Sequence, residues 1–164
     1  MNPVAHLDPI GTIAIFLIGF GWAKPVPVDY RYLKRPRRDM MLIAAAGPIS
    51  NLILGAVCAL FYRMIPWAVG SPELGWVILP LRIMCRTGVW VNAVLAVFNL
   101  LPIPPLDGSR VVSGLLPLRQ AISYSRLEPY GFVIIFLLFF TGIMDPVFGV
   151  AVRTLTLVLF RMWG

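Results

Sequence analysis

The stretch that decides the fold is NAVLAVFNLLPIPPLDG, from Asn92 to Gly108. It ends an uncharged run that begins at Thr87 and is about 20 residues long, which is enough to cross a bilayer as a helix. The helix has to stop near the end of this run, because a proline nitrogen cannot donate a hydrogen bond and the proline ring clashes with the preceding turn. Three prolines impose that stop: Pro102, Pro104 and Pro105. The sequence therefore predicts a membrane helix followed by non-helical backbone at or just below the membrane surface.

One carboxylate, Asp107, follows this proline-rich segment. Non-helical backbone at membrane depth is tolerated only where protein or a water-filled cavity satisfies its polar groups. An ionisable side chain held there is by default a candidate for a functional site. Two interpretations are open at this point: Asp107 is a metal ligand, or it marks the end of one helix and the start of the next.

The composition is too apolar for a soluble domain. Hydrophobic residues make up 59% of the 164 residues, charged residues make up 13%, and the mean hydropathy is +0.85. These values are typical of an integral membrane protein. The net charge of +7 lies in loops between apolar spans, so we attribute it to the positive-inside rule and expect the lipid bilayer, not nucleic acid, as a partner. Cys58 and Cys85 lie outside any CxxC spacing, which argues against a redox motif or a zinc ribbon.

Four apolar segments predict an all-α, multi-pass membrane protein with about four transmembrane or re-entrant helical segments in a single domain, residues 1–164. The second segment is uncharged throughout and is the clearest span. The last is interrupted by Gly142 and Pro146, so it is either one broken span or a helical hairpin. The four segments are Ile10 to Ala23, Met40 to Tyr62, Thr87 to Leu106 and Phe132 to Phe160.

The loops between these spans indicate an orientation. Lys24 to Asp39 carries six basic and two acidic residues, so we expect a surface loop that faces the cytoplasm. Alternating residues around Val26 and Val28 suggest a short extended edge strand that binds an unwound substrate by strand addition, and a plain basic loop is the alternative. Arg63 to Arg86 mixes Arg, Pro and Trp and is expected at the far membrane surface. Asp107 then lies on the same side as the basic loop.

Four segments follow one another along the chain: NPVAHLDPIGT at residues 2–12, GWAKPVPV at 21–28, AGPISN at 46–51 and FNLLPIPPLDG at 98–108. Together, and in this order, they resemble the site-2 protease family of intramembrane zinc metalloproteases, in its compact bacterial branch. Their joint occurrence is far more specific than any one of them. The resemblance implies a hydrolase of the bacterial inner membrane that cleaves membrane-spanning proteins or peptides by regulated intramembrane proteolysis.

The same resemblance implies a site. Asp107 matches the third zinc ligand of the family. Asn99 offers an amide that could orient the scissile carbonyl or stabilise its developing negative charge, and Gly108 permits a tight backbone turn after the ligand. Asn51 of the AGPISN segment is expected to line the site, with Gly47 and Pro48 beside it. For Asn51 and Asn99 the alternative is an ordinary hydrogen bond between helices.

The HExxH motif is absent from the 164 residues. In the family this motif supplies two His ligands and the Glu base, which a catalytic zinc site needs in addition to the distant Asp. The one histidine, His6, lies beside Asp8 at a predicted turn, and the family does not use it as a ligand. We therefore expect the chain to be N-terminally incomplete relative to the family and inactive alone. The alternatives are a non-catalytic family member that binds membrane proteins or peptides and, with less support, a small transporter.

Overall fold

The computed structural model describes residues 33–65 and 72–163 of the chain. From Arg35 onward these residues form one compact unit. It is built from helices and short turns, and the described residues contain no strand, which confirms the predicted all-α class. The helices are α1 (Pro36–Met64), α2 (Pro72–Leu100), α3 (Asp107–Leu115), α4 (Leu118–Ser125), a 3₁₀ turn (Glu128–Tyr130), α5 (Gly131–Phe140) and α6 (Asp145–Arg161).

Helix α1 contains the clearest predicted span and begins before it. Pro36 occupies the first turn, where its missing N–H costs nothing and its fixed φ suits a helix. The Arg35 backbone N–H donates to Asp39 Oδ2 over 2.9 Å, so the side chain of the first turn caps the helix. The prediction of a loop over Lys24 to Asp39 is therefore wrong for its last four residues. The proposed edge strand at Val26 and Val28, the first apolar segment and His6 lie outside the described residues.

Helix α2 corrects the predicted boundary between loop and span. The segment from Arg63 to Arg86 was expected to lie at the far membrane surface. The chain is instead helical from Pro72 onward, and Pro80 lies inside the helix. A proline is tolerated within a membrane helix because neighbouring groups satisfy the carbonyl that it leaves free. The other end agrees with the sequence, since α2 stops at Leu100, directly before the three prolines.

Three helical stretches are long and apolar enough to cross a membrane: Pro36–Met64, Gly75–Leu100 and Leu118–Phe140. They fit the predicted polytopic membrane protein. The predicted interruption of the last apolar segment is also confirmed, because α5 ends at Phe140 and α6 begins at Asp145. Between them Gly142 has φ +71°, a left-handed conformation that favours glycine.

Helices α1 and α2 run antiparallel and pack closely. A Cβ atom added to Gly88 would lie 2.8 Å from the Cys58 sulfur, and one added to Gly55 would lie 3.5 Å from the Asn92 Cβ atom. Residue numbers therefore fall along α2 as they rise along α1. Glycine at these two positions lets the backbones approach, as is common for helices that associate in a membrane.

Helix α6 completes the core. The Leu159 Cδ1 atom lies 2.9 Å from the position of a Cβ atom at Gly55. The Trp163 Nε1–H donates to the Ala56 carbonyl over 3.0 Å, which fixes the end of α6 against α1. Buried side chains of the three helices form the core: Ala59, Val89, Ala93, Val152 and Leu159.

Helix α3 packs along the first half of α1. A Cβ atom at Gly114 would lie 2.8 Å from the Met41 Cβ atom. The Arg37 guanidinium donates to the Ser113 carbonyl from Nη2 over 2.9 Å and from Nε over 3.3 Å. The C-terminal end of α3 therefore lies beside the basic residues around Arg37. Asp107, which begins α3, lies about 10 Å farther along the bundle but in the same half of it.

Ala93 tests the packing of the core, because it has no exposed surface and faces both α1 and α6. We expect Ala93→Leu to lower the free energy of unfolding by about 1 to 3 kcal/mol, since added methyl groups overpack a filled core. The measurement is unfolding in detergent. Ala46→Leu, on the exposed face of α1, is the control and should change stability by less than about 0.5 kcal/mol. Equal losses in the two variants would contradict this core.

Candidate metal-ligand site at Asp107

Asp107 is delivered by the turn that separates α2 from α3. The chain leaves α2 at Leu100, turns over residues 101–106 and re-enters a helix at Asp107. Two backbone hydrogen bonds shape the turn, from Leu101 N to Phe98 O over 3.1 Å and from Leu106 N to Ile103 O over 3.0 Å. The predicted non-helical segment after the span is therefore present.

Ser109 fixes the start of α3. It is buried, and its hydroxyl donates to the Leu106 carbonyl over 2.7 Å. Its backbone N–H donates to the same carbonyl over 3.0 Å. A buried hydroxyl needs such a partner, and this one secures the peptide units on both sides of Asp107. Ser109 was not predicted as a site residue, because a serine after Asp-Gly is common in ordinary turns.

Gly108 was predicted to permit a tight turn, and the structure gives it a different reason. A Cβ atom at this position would collide with the Leu100 carbonyl and would lie 2.5 Å from the Leu101 carbonyl oxygen. Gly108 is helical, and the positive φ that marks a strained turn is found among the described residues at Gly142. The glycine is required by the close approach of α3 to the end of α2.

The Asp107 carboxylate lies against Gly47 of α1. Its Oδ2 atom is 2.9 Å from the position that a Cβ atom would take on Gly47. The neighbouring Pro48 is buried. Asn51 follows Gly47 by four residues, so it lies on the same face of α1 about 6 Å farther along the axis. The AGPISN and LDG segments, 60 residues apart between Gly47 and Asp107, meet in the fold.

The register of α1 and α2 places Asn99 at the same level of the bundle as Gly47 and Pro48. From the pair Gly55 and Asn92, two helical turns in opposite directions lead to Pro48 and Asn99. Asn51 and Asn99 are each half-buried. In the part of the chain that the structure describes, neither amide has a hydrogen bond to protein, whereas the Asn92 amide donates to the Gly88 carbonyl over 2.8 Å.

The Asp107 carboxyl group lies in an environment that disfavours its charge. Burial raises the pKa of Asp107, and the charge of Arg110 lowers it by less. No hydrogen bond or ion pair reaches this carboxylate from any residue in the ranges 33–65 and 72–163. A half-buried carboxylate without a partner suits an oxygen ligand of a cation, because a bound cation would favour the charged form.

Asp107 is a candidate ligand, and the described residues hold no complete metal site. Within them there is no group of three His, Cys, Asp or Glu side chains that could hold a metal ion. The sequence has one histidine, His6, which lies outside the described ranges. Asp107 therefore fits the role of one ligand, and any others have to come from elsewhere.

Two residues that the sequence did not suggest hold the turn before Asp107. The Tyr124 hydroxyl of α4 donates to the Pro102 carbonyl over 2.5 Å. Gly131, at the start of α5, leaves no room for a Cβ atom because the Pro104 carbonyl occupies that space. Both contacts join residues more than 20 positions apart in the sequence, so no local pattern reveals them.

Comparison with known proteins gives two matches. Residues 71–142 match peptidase family M50, the site-2 protease family. "Putative zinc metalloprotease YwhC" of Bacillus subtilis (strain 168) is 43% identical over 141 residues, which cover 86% of this chain and 64% of that relative. The chain belongs to the site-2 protease family. It spans less than two thirds of the length of this relative, and no solved structure matches it.

The family match extends farther toward the C-terminus than the segments that carry the resemblance. The segments that carry the resemblance end at Gly108, whereas the M50 match continues to residue 142. It therefore includes α3, α4 and α5, and with them Tyr124 and Gly131. These helices, which hold the turn before Asp107, belong to the matched part of the site-2 protease fold.

Gly47→Ala tests the contact with Asp107. The new Cβ atom would lie 2.9 Å from the carboxylate oxygen and would displace it. We therefore expect the change to cost about 1 kcal/mol in unfolding free energy relative to a glycine-to-alanine change at an open helical position, where alanine is favoured. In an Asp107→Ala background the same change should cost clearly less, because the oxygen is gone. Gly149→Ala is the control, since its Cβ atom meets nothing within 4 Å. The same loss in both backgrounds would contradict the contact.

Tyr124→Phe tests the hydrogen bond to the turn. Removing the hydroxyl leaves the Pro102 carbonyl without this donor, and we expect a loss of about 1 kcal/mol. Backbone amides of residues 101–106 should also exchange with deuterium faster. Tyr130→Phe is the matched control, because Tyr130 is 64% exposed. Unchanged exchange in the Tyr124 variant would mean that the hydroxyl does not hold the turn.

Proposed function

We propose that this chain is the substrate-facing body of an intramembrane zinc metalloprotease, with Asp107 as the third zinc ligand. The observation that carries the proposal is the position of the Asp107 carboxylate against Gly47. A carboxylate next to a membrane span is costly unless it is paired or bound to a metal. Membership of the site-2 protease family supplies the corresponding chemistry.

The proposed metal is Zn²⁺. When bound, zinc would lower the pKa of a water molecule, which would provide a hydroxide nucleophile for the peptide bond near neutral pH. The two His ligands and the Glu base would come from an HExxH helix outside the 164 residues, as in the family. The role of Asp107 is to offer an anionic oxygen from a turn that Ser109 and Tyr124 hold in place.

The remaining predicted residues receive roles from their positions. Asn99, level with Gly47, would orient the scissile carbonyl or donate to its developing negative charge. Asn51 would line the same space one turn deeper. Pro48, Gly47 and Gly108 would shape the approach of the three helices, since each lies where backbone or side chain is closely packed.

The proposed substrate is a membrane-spanning protein or peptide, and the proposed location is the bacterial inner membrane. Peptide cleavage requires extended backbone, and Val26 and Val28 are proposed to hold it by strand addition. The basic residues at the start of α1 are proposed to face the cytoplasm. Asp107 lies in the same half of the bundle, so cleavage would occur in the cytoplasmic half of the membrane.

A second candidate function is binding without cleavage. It is favoured by the sequence, which contains no HExxH and only one histidine. A chain with this composition could still hold a membrane helix or peptide at the surface near Asn51 and Asn99. The two candidates differ in one observation: an in-frame HExxH upstream of Met1 in the genome supports the protease, and its absence supports the binding protein.

Asp107→Asn decides the ligand role in protein made with the upstream HExxH segment. The variant keeps the shape of the side chain but removes the anionic ligand, so we expect zinc affinity and cleavage of a test transmembrane substrate to fall at least about 100-fold. Metal analysis and cleavage rate are the measurements. Asp145→Asn, at the exposed start of α6, should match the parent. Near-parental cleavage by Asp107→Asn would refute the third-ligand assignment.

A further inference from the structure

A second site lies at the opposite end of the helix bundle from Asp107. A cavity of about 600 Å³ opens there beside the last turn of α1. Its walls come from α1, α2 and α6, and three of its lining side chains are arginines: Arg63, Arg82 and Arg86.

Arg82 is held in place by its neighbours. Its Nη1 donates to the Ile65 carbonyl over 2.7 Å, which caps the end of α1. Its guanidinium carbon lies 4.3 Å from the centre of the Tyr62 ring, the geometry of a cation–π contact. The Arg82 side chain, which lines the cavity, is therefore positioned by protein contacts before any ligand arrives.

Arg86 and Arg63 bring further positive charge to the same space. Arg86 follows Arg82 by four residues, so the two lie on one face of α2, where like charges repel. Arg63 faces the same cavity from α1. The planar fork of a guanidinium fits the oxygen atoms of a phosphate, and several such groups around one cavity form a phosphate-binding arrangement.

The depth of the cavity points to a lipid phosphate. Along α1, Arg63 lies 22 residues beyond Met41, which is about 33 Å and close to the thickness of the hydrocarbon core. Met41 packs against Gly114 at the C-terminal end of α3, close to the basic residues that begin α1. The cavity therefore lies at the level of the headgroups of the opposite leaflet, where positive-inside bias makes a group of arginines unusual.

We propose that Arg63, Arg82 and Arg86 form a binding site for a phosphate group, supplied by the headgroup of an anionic phospholipid. The walls suit such a ligand, because Tyr62 and Phe160 present aromatic surface to its apolar part. Their rings are in edge-to-face contact with centres 5.3 Å apart. Because α1, α2 and α6 all contribute to the walls, the bound headgroup would tie the three core helices together.

The test measures retention of phosphatidylglycerol and phosphatidylcholine by the purified chain in native mass spectrometry. We expect retention of the anionic lipid. The double variant Arg63→Gln/Arg86→Gln should weaken it at least about tenfold, since charge-assisted bonds to the phosphate are lost. Arg82 is left unchanged because it caps α1. The control Arg35→Gln/Arg38→Gln removes the same charge from exposed positions at the other end of α1 and should retain the lipid.

Two further measurements identify the source of the phosphate and test whether the planar guanidinium group is required. Inorganic phosphate in molar excess should not displace the lipid, and if it does, the cavity binds soluble phosphate as its ligand. The double variant Arg63→Lys/Arg86→Lys keeps the charge but not the planar fork. If it retains less anionic lipid than the parent and more than the Gln double variant, this supports recognition by the guanidinium groups. Lipid retention unchanged in the Gln double variant, or lost equally in the control, would overturn the proposal.

Discussion

The candidate site depends on the close approach of backbone to backbone around one turn, residues 101–106. Gly108 lets the start of α3 approach the last carbonyls of α2, and Gly131 lets the start of α5 approach the Pro104 carbonyl. Gly47 leaves space for the Asp107 carboxylate on the opposite side. A methyl group at any of these positions would require backbone or a short side chain to shift. The position of Asp107 is thus set by steric contacts from three helices, and its charge adds little to that constraint.

How much of this the sequence reveals depends on the range of the interaction. The end of α2 at Leu100 follows from three local prolines, and the class of the fold follows from composition. The start of α2 was missed because the mixture of Arg, Pro and Trp from Arg63 to Arg86 suggested an interfacial segment. Arginines are compatible with a membrane helix when they lie near its end and have partners, and Arg82 has both the Ile65 carbonyl and the Tyr62 ring.

The site residues also fall into those that the sequence indicates and those whose role depends on tertiary contacts. Asp107 was selected by its position after the proline-rich segment and by the family resemblance, and Gly47 and Asn99 were selected by the resemblance. The fold brings the three to one level of the bundle. Ser109 and Tyr124 were not selected, because their partners are carbonyl groups of a turn that has no signature in the sequence. Gly108 was selected for conformational freedom but is needed for space. A motif can thus mark the right residue while the physical reason emerges only from tertiary contacts.

The raised pKa of Asp107 links the stability of the fold to the occupancy of the site. A carboxyl group whose pKa is higher in the folded than in the unfolded chain stabilises the fold below the unfolded pKa, and this contribution is lost as the pH rises through the folded pKa. Above the folded pKa the ionised Asp107 therefore opposes folding when it has no cation beside it. If Asp107 is a metal ligand as proposed, a divalent ion would offset this penalty, because it would bind the charged form in the folded state. The carboxylate that weakens the fold without a cation would then be the group through which metal binding stabilises it.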